Sequence, residues 1–131
     1  MSSTPFKYRP LDQTQPSIRL LSVLRKRSRD GLLECQMIPS TMSAKYTCLS
    51  YVWGTENDHG GPFDILVDGE RFAVRYNLYT FLEVARIKYF KKLLWIDALC
   101  IDQANVKERN KQVQQMGDIY SKAEMVIAWL G

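Results

Sequence analysis

The chain has 131 residues, 46% of them apolar and 24% charged; these are the proportions of one folded domain, and no apolar run approaches the ~20 residues that a membrane-spanning helix needs. The formal net charge is +4, and Arg25, Lys26, Arg27 and Arg29 carry that excess within five residues, so the protein reads as a neutral domain with one basic knot. Cys35, Cys48 and Cys100, with His59 as the single histidine, supply neither a metal-ligand set nor a disulfide framework, and the N-terminus lacks the apolar stretch of a secretory signal, so a cytoplasmic location is expected.

Residues 1–17 hold Pro5, Pro10 and Pro16 among polar side chains and read as a flexible or loosely docked tail. Two strand-like runs, 18–24 and 32–38, flank a segment ending in the turn dipeptide Asp30-Gly31. They predict a hairpin with the basic knot at its tip. The knot reads first as a solvated tip, ahead of a site for nucleic acid or acidic lipid. No aromatic residue is interleaved with it, as stacking on single strands requires.

Residues 39–45 form a connecting loop. Residues 46–53, dense in aromatic and β-branched side chains, predict the next strand. Residues 54–62 form a polar loop that matches no phosphate-cradling glycine pattern. Residues 64–67 and 71–74 flank Asp68-Gly69, a second hairpin signal. Asn77 then opens a helix in which Leu78, Phe81, Leu82 and Ala85 share one face. Residues 93–96 are a short apolar strand ending in Asp97. Asn105 and Glu108 predict a capping box for a helix running to about Lys122, with Val106, Val113, Met116, Tyr120 and Ala123 as its apolar stripe. Residues 125–130 read as a final buried strand. The alternation of helix and strand predicts an α/β fold with a mostly parallel sheet, crossover helices and N-terminal β-hairpins.

In such sheets ligands bind beyond the carboxyl ends of the strands. Three ends carry distinctive chemistry: Ser50-Tyr51-Val52-Trp53-Gly54; Trp95-Ile96-Asp97, continuing through Cys100 and Asp102 to Gln103; and Trp129-Leu130-Gly131. Parallel neighbours would set all three along one rim. Arg109, four residues before Val113, falls on the predicted apolar stripe, so it needs a carboxylate, with Asp97 and Asp102 nearest. That pair is a structural ion pair first and a clamp for an anionic or ribose-bearing ligand second. Glu108 is accounted for by its capping role. Ser50 lacks a nucleophile elbow, and Cys100 reads as a small core residue unless His59 folds onto it. The tryptophans read as core fillers. No metal site is expected.

The strings Tyr46-Thr47-Cys48-Leu49-Ser50-Tyr51-Val52-Trp53-Gly54 and Leu94-Trp95-Ile96-Asp97-Ala98-Leu99-Cys100-Ile101-Asp102-Gln103 resemble blocks of the fungal heterokaryon-incompatibility (HET) domain. Glu108-Arg109, Gln112-Val113, Met116, Ile119-Tyr120, Ala123 and Val126 through Gly131 continue the likeness in the same order, over residues 18–131. Asp102 stands where the family often has Asn. The resemblance implies a fungal module of non-self recognition and programmed cell death. It would act by association with other HET-containing or signalling proteins or with itself. The family's distant likeness to Toll/interleukin-receptor (TIR) domains implies a TIR-like or flavodoxin-like core. By the same analogy an NAD-hydrolysing enzyme is the alternative, with NAD its only implied cofactor. The family domain usually continues past Trp-Leu-Gly, and the TIR glutamate lies in that continuation. The chain is therefore expected to be the N-terminal part of the domain, with no residue that inherits a catalytic role. An anionic-ligand binder acting through the basic hairpin is the third reading.

Overall fold

The computed structural model describes residues 5–12, 14–55 and 58–131. A seven-stranded sheet runs in the order β5-β4-β2-β1-β6-β3-β7. Its strands are β1 (Ser17–Val23), β2 (Glu34–Thr41), β3 (Thr47–Tyr51), β4 (Phe63–Val67), β5 (Glu70–Val74), β6 (Leu93–Trp95) and β7 (Met125–Trp129). Helix α1 (Tyr76–Lys88) separates β5 from β6, and α2 (Asp97–Cys100) and α3 (Val106–Ser121) separate β6 from β7.

Both expected hairpins form. β1 pairs antiparallel with β2 from Ser17–Thr41 to Val23–Cys35, and β4 pairs antiparallel with β5. Asp68 and Gly69 both take positive φ, the requirement of a tight hairpin turn. Asp68 Oδ1 also accepts from the Met37 N–H (3.1 Å) and ties this turn to β2. The sheet is mixed, however, and not mostly parallel. β6-β3-β7 run parallel and β2 runs parallel to β4, but β1 is antiparallel to both of its neighbours. The reason lies in β1 itself. Ile18, Leu20, Leu21 and Val23 are all sealed from solvent, so the strand is buried on both faces and occupies the middle of the sheet. The hairpin is the sheet's centre, where the sequence suggested an appendage.

The pairing register puts Tyr51 and Trp129 on one face and Cys48 and Trp95 on the other. α1 covers the first, with Phe81 edge-on to Trp129. α3 covers the second: the Tyr46 hydroxyl donates to the Ile119 carbonyl (2.6 Å), and Tyr120 packs edge-on against Trp95. The core runs through Leu20, Leu21, Leu49, Ile65, Phe81, Leu82, Leu94 and Trp95.

Two further expectations change. The final strand, β7, is not buried: it lies at the sheet edge with Met125 and Val126 exposed. The face that α3 buries carries Glu108, Gln112 and Ile119, while Val106 and Val113 are exposed. The helix is turned so that polar residues point inward, because a buried cation on β1 meets it there. The expected tail contributes to this packing: Leu11 is buried, Pro5 forms a bridge with Arg71, and the Phe6 N–H donates to the Arg71 carbonyl (2.8 Å).

Candidate functional site

Two polar assemblies occupy the carboxyl-end side of β6. The first is buried. Arg19 on β1 reaches Glu108 on α3 through both arms of its guanidinium: Nη1 to Oε2 at 2.6 Å and Nη2 to Oε1 at 2.7 Å. Both side chains are only 4% exposed. Arg19 also donates to the carbonyls of Cys100 (3.1 Å) and Arg9 (2.8 Å). The Asp102 N–H donates to Glu108 Oε2 (2.7 Å). Tyr8 lies with its ring 4.8 Å from the guanidinium carbon, and its hydroxyl donates to the Leu99 carbonyl (2.6 Å). Burial raises the Tyr8 pKa, so this hydroxyl keeps its proton. One turn along α3, Gln112 Nε2 donates to the Ser17 carbonyl (2.9 Å). A bidentate pair with further bonds from both Nη atoms to carbonyls, and a backbone N–H on the carboxylate, is an arrangement that lets a guanidinium and a carboxylate share a dry interior.

The expected chemistry is therefore present with different partners. Arg109 is exposed, and it is Arg19 that enters the core. Asp102 contributes its backbone N–H. The capping box is half made: Asn105 Oδ1 accepts from the Glu108 N–H (3.1 Å), but the Glu108 carboxylate turns to Arg19. Arg19 is legible in principle, as the single charge in the strand.

The second assembly is the rim. β3, β6 and β7 are parallel neighbours, so their carboxyl ends do share one side of the sheet. Trp53 Nε1 donates to Asp97 Oδ1 (3.3 Å), and Gln103 Nε2 donates to the Asp97 carbonyl (2.9 Å). Arg75, which the sequence did not single out, donates to the Gly54 carbonyl (2.7 Å) and lies over the Trp53 ring at 5.6 Å. Asn77 Nδ2 donates to the Val52 carbonyl (2.8 Å). A cavity of about 120 Å³ opens here, lined by Tyr51, Trp53, Val74, Arg75, Leu78 and Ala98. Burial raises the Asp97 pKa, and the Trp53 N–H offsets part of that rise. Burial and the nearby Asp97 charge also raise the Tyr51 hydroxyl.

The other candidates are placed apart from this chemistry. Ser50 is exposed within the ladder opposite Ala128. Trp95 is sealed in the core. Cys100 is fully buried, its sulfur accepts from the Ile96 N–H (3.4 Å), and burial pushes its pKa up to about 12. It is a protonated core thiol. His59 stacks on Tyr76 at 4.0 Å. Among the described residues no cluster of His, Cys, Asp and Glu could hold a metal ion. Of the basic knot, Arg27 is drawn onto α1 by Glu83 (2.5 and 2.6 Å), while Arg25, Lys26 and Arg29 remain exposed.

The model of the family described as heterokaryon incompatibility protein (HET) matches residues 46–131, a span that contains both motif blocks, the rim and Glu108. The chain belongs to the HET family. It is also similar to heterokaryon incompatibility protein 6, OR allele, of Neurospora crassa, at 33% identity over 140 residues. That match covers 96% of this chain and 21% of the relative, so the chain spans about a fifth of the length of the curated HET protein it resembles. No solved structure matches it.

Proposed function

We propose that this chain is a module of fungal non-self recognition that acts by associating with another HET-family chain, in a response that ends in programmed cell death. The observation that carries the reading is the unequal treatment of the two sheet edges. The β5 edge is capped by the bridge from Pro5 to Arg71. No strand pairs with the outer side of β7 among the described residues, and Met125 and Val126 on it are 38% and 47% exposed. An uncovered edge with apolar side chains takes a strand from another chain by main-chain hydrogen bonding. A second copy is the simplest occupant, because two equivalent edges satisfy each other across a two-fold axis.

The TIR-like alternative, with NAD as substrate, draws on the parallel trio β6-β3-β7. Its carboxylates weigh against it. Glu108 is neutralised by Arg19, and Asp97 is held by Trp53. Sedimentation of the purified chain across a wide concentration range tests the association. Dimers are expected to form with rising concentration, and Val126→Lys is expected to abolish them while leaving the melting temperature unchanged. A monomer at every concentration would overturn the proposal.

A further inference from the structure

At the opposite end of β6 from the rim, the basic turn and the end of α1 build one surface. Arg27 fixes the turn to the helix through Glu83, and Arg86 adds a bond from its Nη1 to the Arg25 carbonyl (3.0 Å). Glu83 also accepts from Arg86 (3.3 Å), and Lys92 pairs with Glu124, just before β7, at 3.9 Å, so these two acids are engaged by cations outside the exposed set. That set is Arg25, Lys26, Arg29, Lys88 and Lys91, with Asp30 offsetting one charge. Ile87, between Lys88 and the Arg86 that bonds the Arg25 carbonyl, is 53% exposed and turned away from the helix face that buries Leu78, Phe81, Leu82 and Ala85. Phe90 follows three residues later, with the Arg25 guanidinium 5.3 Å and the Lys91 ammonium 5.7 Å from its ring centre.

We infer that this surface docks the protein on an anionic lipid bilayer, with the five cations facing the headgroups and Ile87 entering the interface. Cations around an exposed aliphatic side chain match the two components of a bilayer surface, its negative potential and the apolar layer beneath. Single-stranded nucleic acid fits less well. It needs open aromatic faces for bases to stack on, and the two rings that the patch's cations touch are half-buried: Phe90 is held by Arg25 and Lys91, and Tyr89 lies under Lys88 and stacks on Phe81. The clasp from Arg27 to Glu83 and the Arg86 bond to the Arg25 carbonyl hold the turn beside the helix.

Co-sedimentation with lipid vesicles tests this. Binding is expected to vesicles of phosphatidylcholine mixed with phosphatidylserine, to be absent with phosphatidylcholine alone, and to fall steeply with salt. The double variant Arg25→Glu, Lys91→Glu is expected to weaken it by about tenfold or more. Ile87→Ser is expected to weaken it by about fivefold, since an exposed isoleucine that enters the interface loses its apolar gain. Both substitutions fall on exposed residues, so unchanged melting curves are expected and separate lost docking from lost folding. Equal binding to neutral and anionic vesicles would overturn the proposal. So would an Ile87→Ser variant that binds like the parent, or tighter binding to polyuridine than to vesicles.

Discussion

The arginine–glutamate pairs Arg19–Glu108 and Arg27–Glu83 do different things. Arg19 and Glu108 meet fork to fork, each arm on its own oxygen, inside a core that excludes water. Arg27 places one nitrogen between both oxygens of Glu83, with each side chain about a third exposed. The first joins a central strand to a helix and has no solvent to fall back on. The second clasps a turn to a helix and can exchange its partner for water at little cost. Identical chemistry thus makes a keystone in one place and an adjustable fastening in the other, and desolvation is the difference.

Breaking the buried pair should show the largest effect. Glu108→Ala strands a guanidinium in the core and is expected to cost about 3–5 kcal/mol, read from chemical denaturation midpoints. The double variant Arg19→Met, Glu108→Leu removes both charges and is expected to recover most of that loss. If it is as unstable as the single variant, the pair stabilises through its own geometry and the contrast must be redrawn. Arg27→Ala, by comparison, is expected to cost about 0.5–1 kcal/mol and to lose its effect in high salt.

Asp97 sharpens the comparison as a partly buried carboxylate held by an indole N–H and, among the described residues, in no ion pair. Its folded pKa lies above the ordinary 3.8, with burial the main cause. The folded state therefore binds this proton more tightly than the unfolded chain, and stability falls as pH rises through the window just above 3.8. Asp97→Asn is expected to flatten that decline; parallel stability profiles for the two proteins would contradict it. Smallest of all, Arg109→Ala is expected to stay within ~0.5 kcal/mol, as for other exposed positions.

Both hairpins, the Asn105 cap and the parallel trio were legible because turn chemistry, capping residues and strand ends act locally. The inward arginine was also inferable from the need to neutralise a buried charge. What the sequence obscured was which arginine it is. Of the stripe assigned to α3, Met116, Tyr120 and Ala123 pack against the core, while Val106 and Val113 face solvent. Helical periodicity ranks faces by apolar content, whereas this helix buries Glu108 and Gln112 to satisfy Arg19 and the Ser17 carbonyl. A pairing 89 residues apart in the chain leaves no local signature. The same holds for Arg75 and Asn77, whose roles at the rim consist of bonds to carbonyls 21 and 25 residues away.

The placement of β1 has a practical corollary for dissecting HET proteins. The span recognised as the family begins at Tyr46, but the strand that joins the two halves of the sheet is Ser17–Val23. A fragment cut at that border would expose the flank of β6, leave Glu108 without its counter-ion and discard the Tyr8 and Arg9 contacts that close the buried assembly. The span matched by the family model and the packed core have different borders in this protein. Expression libraries, epitope tags and deletion series should respect the second.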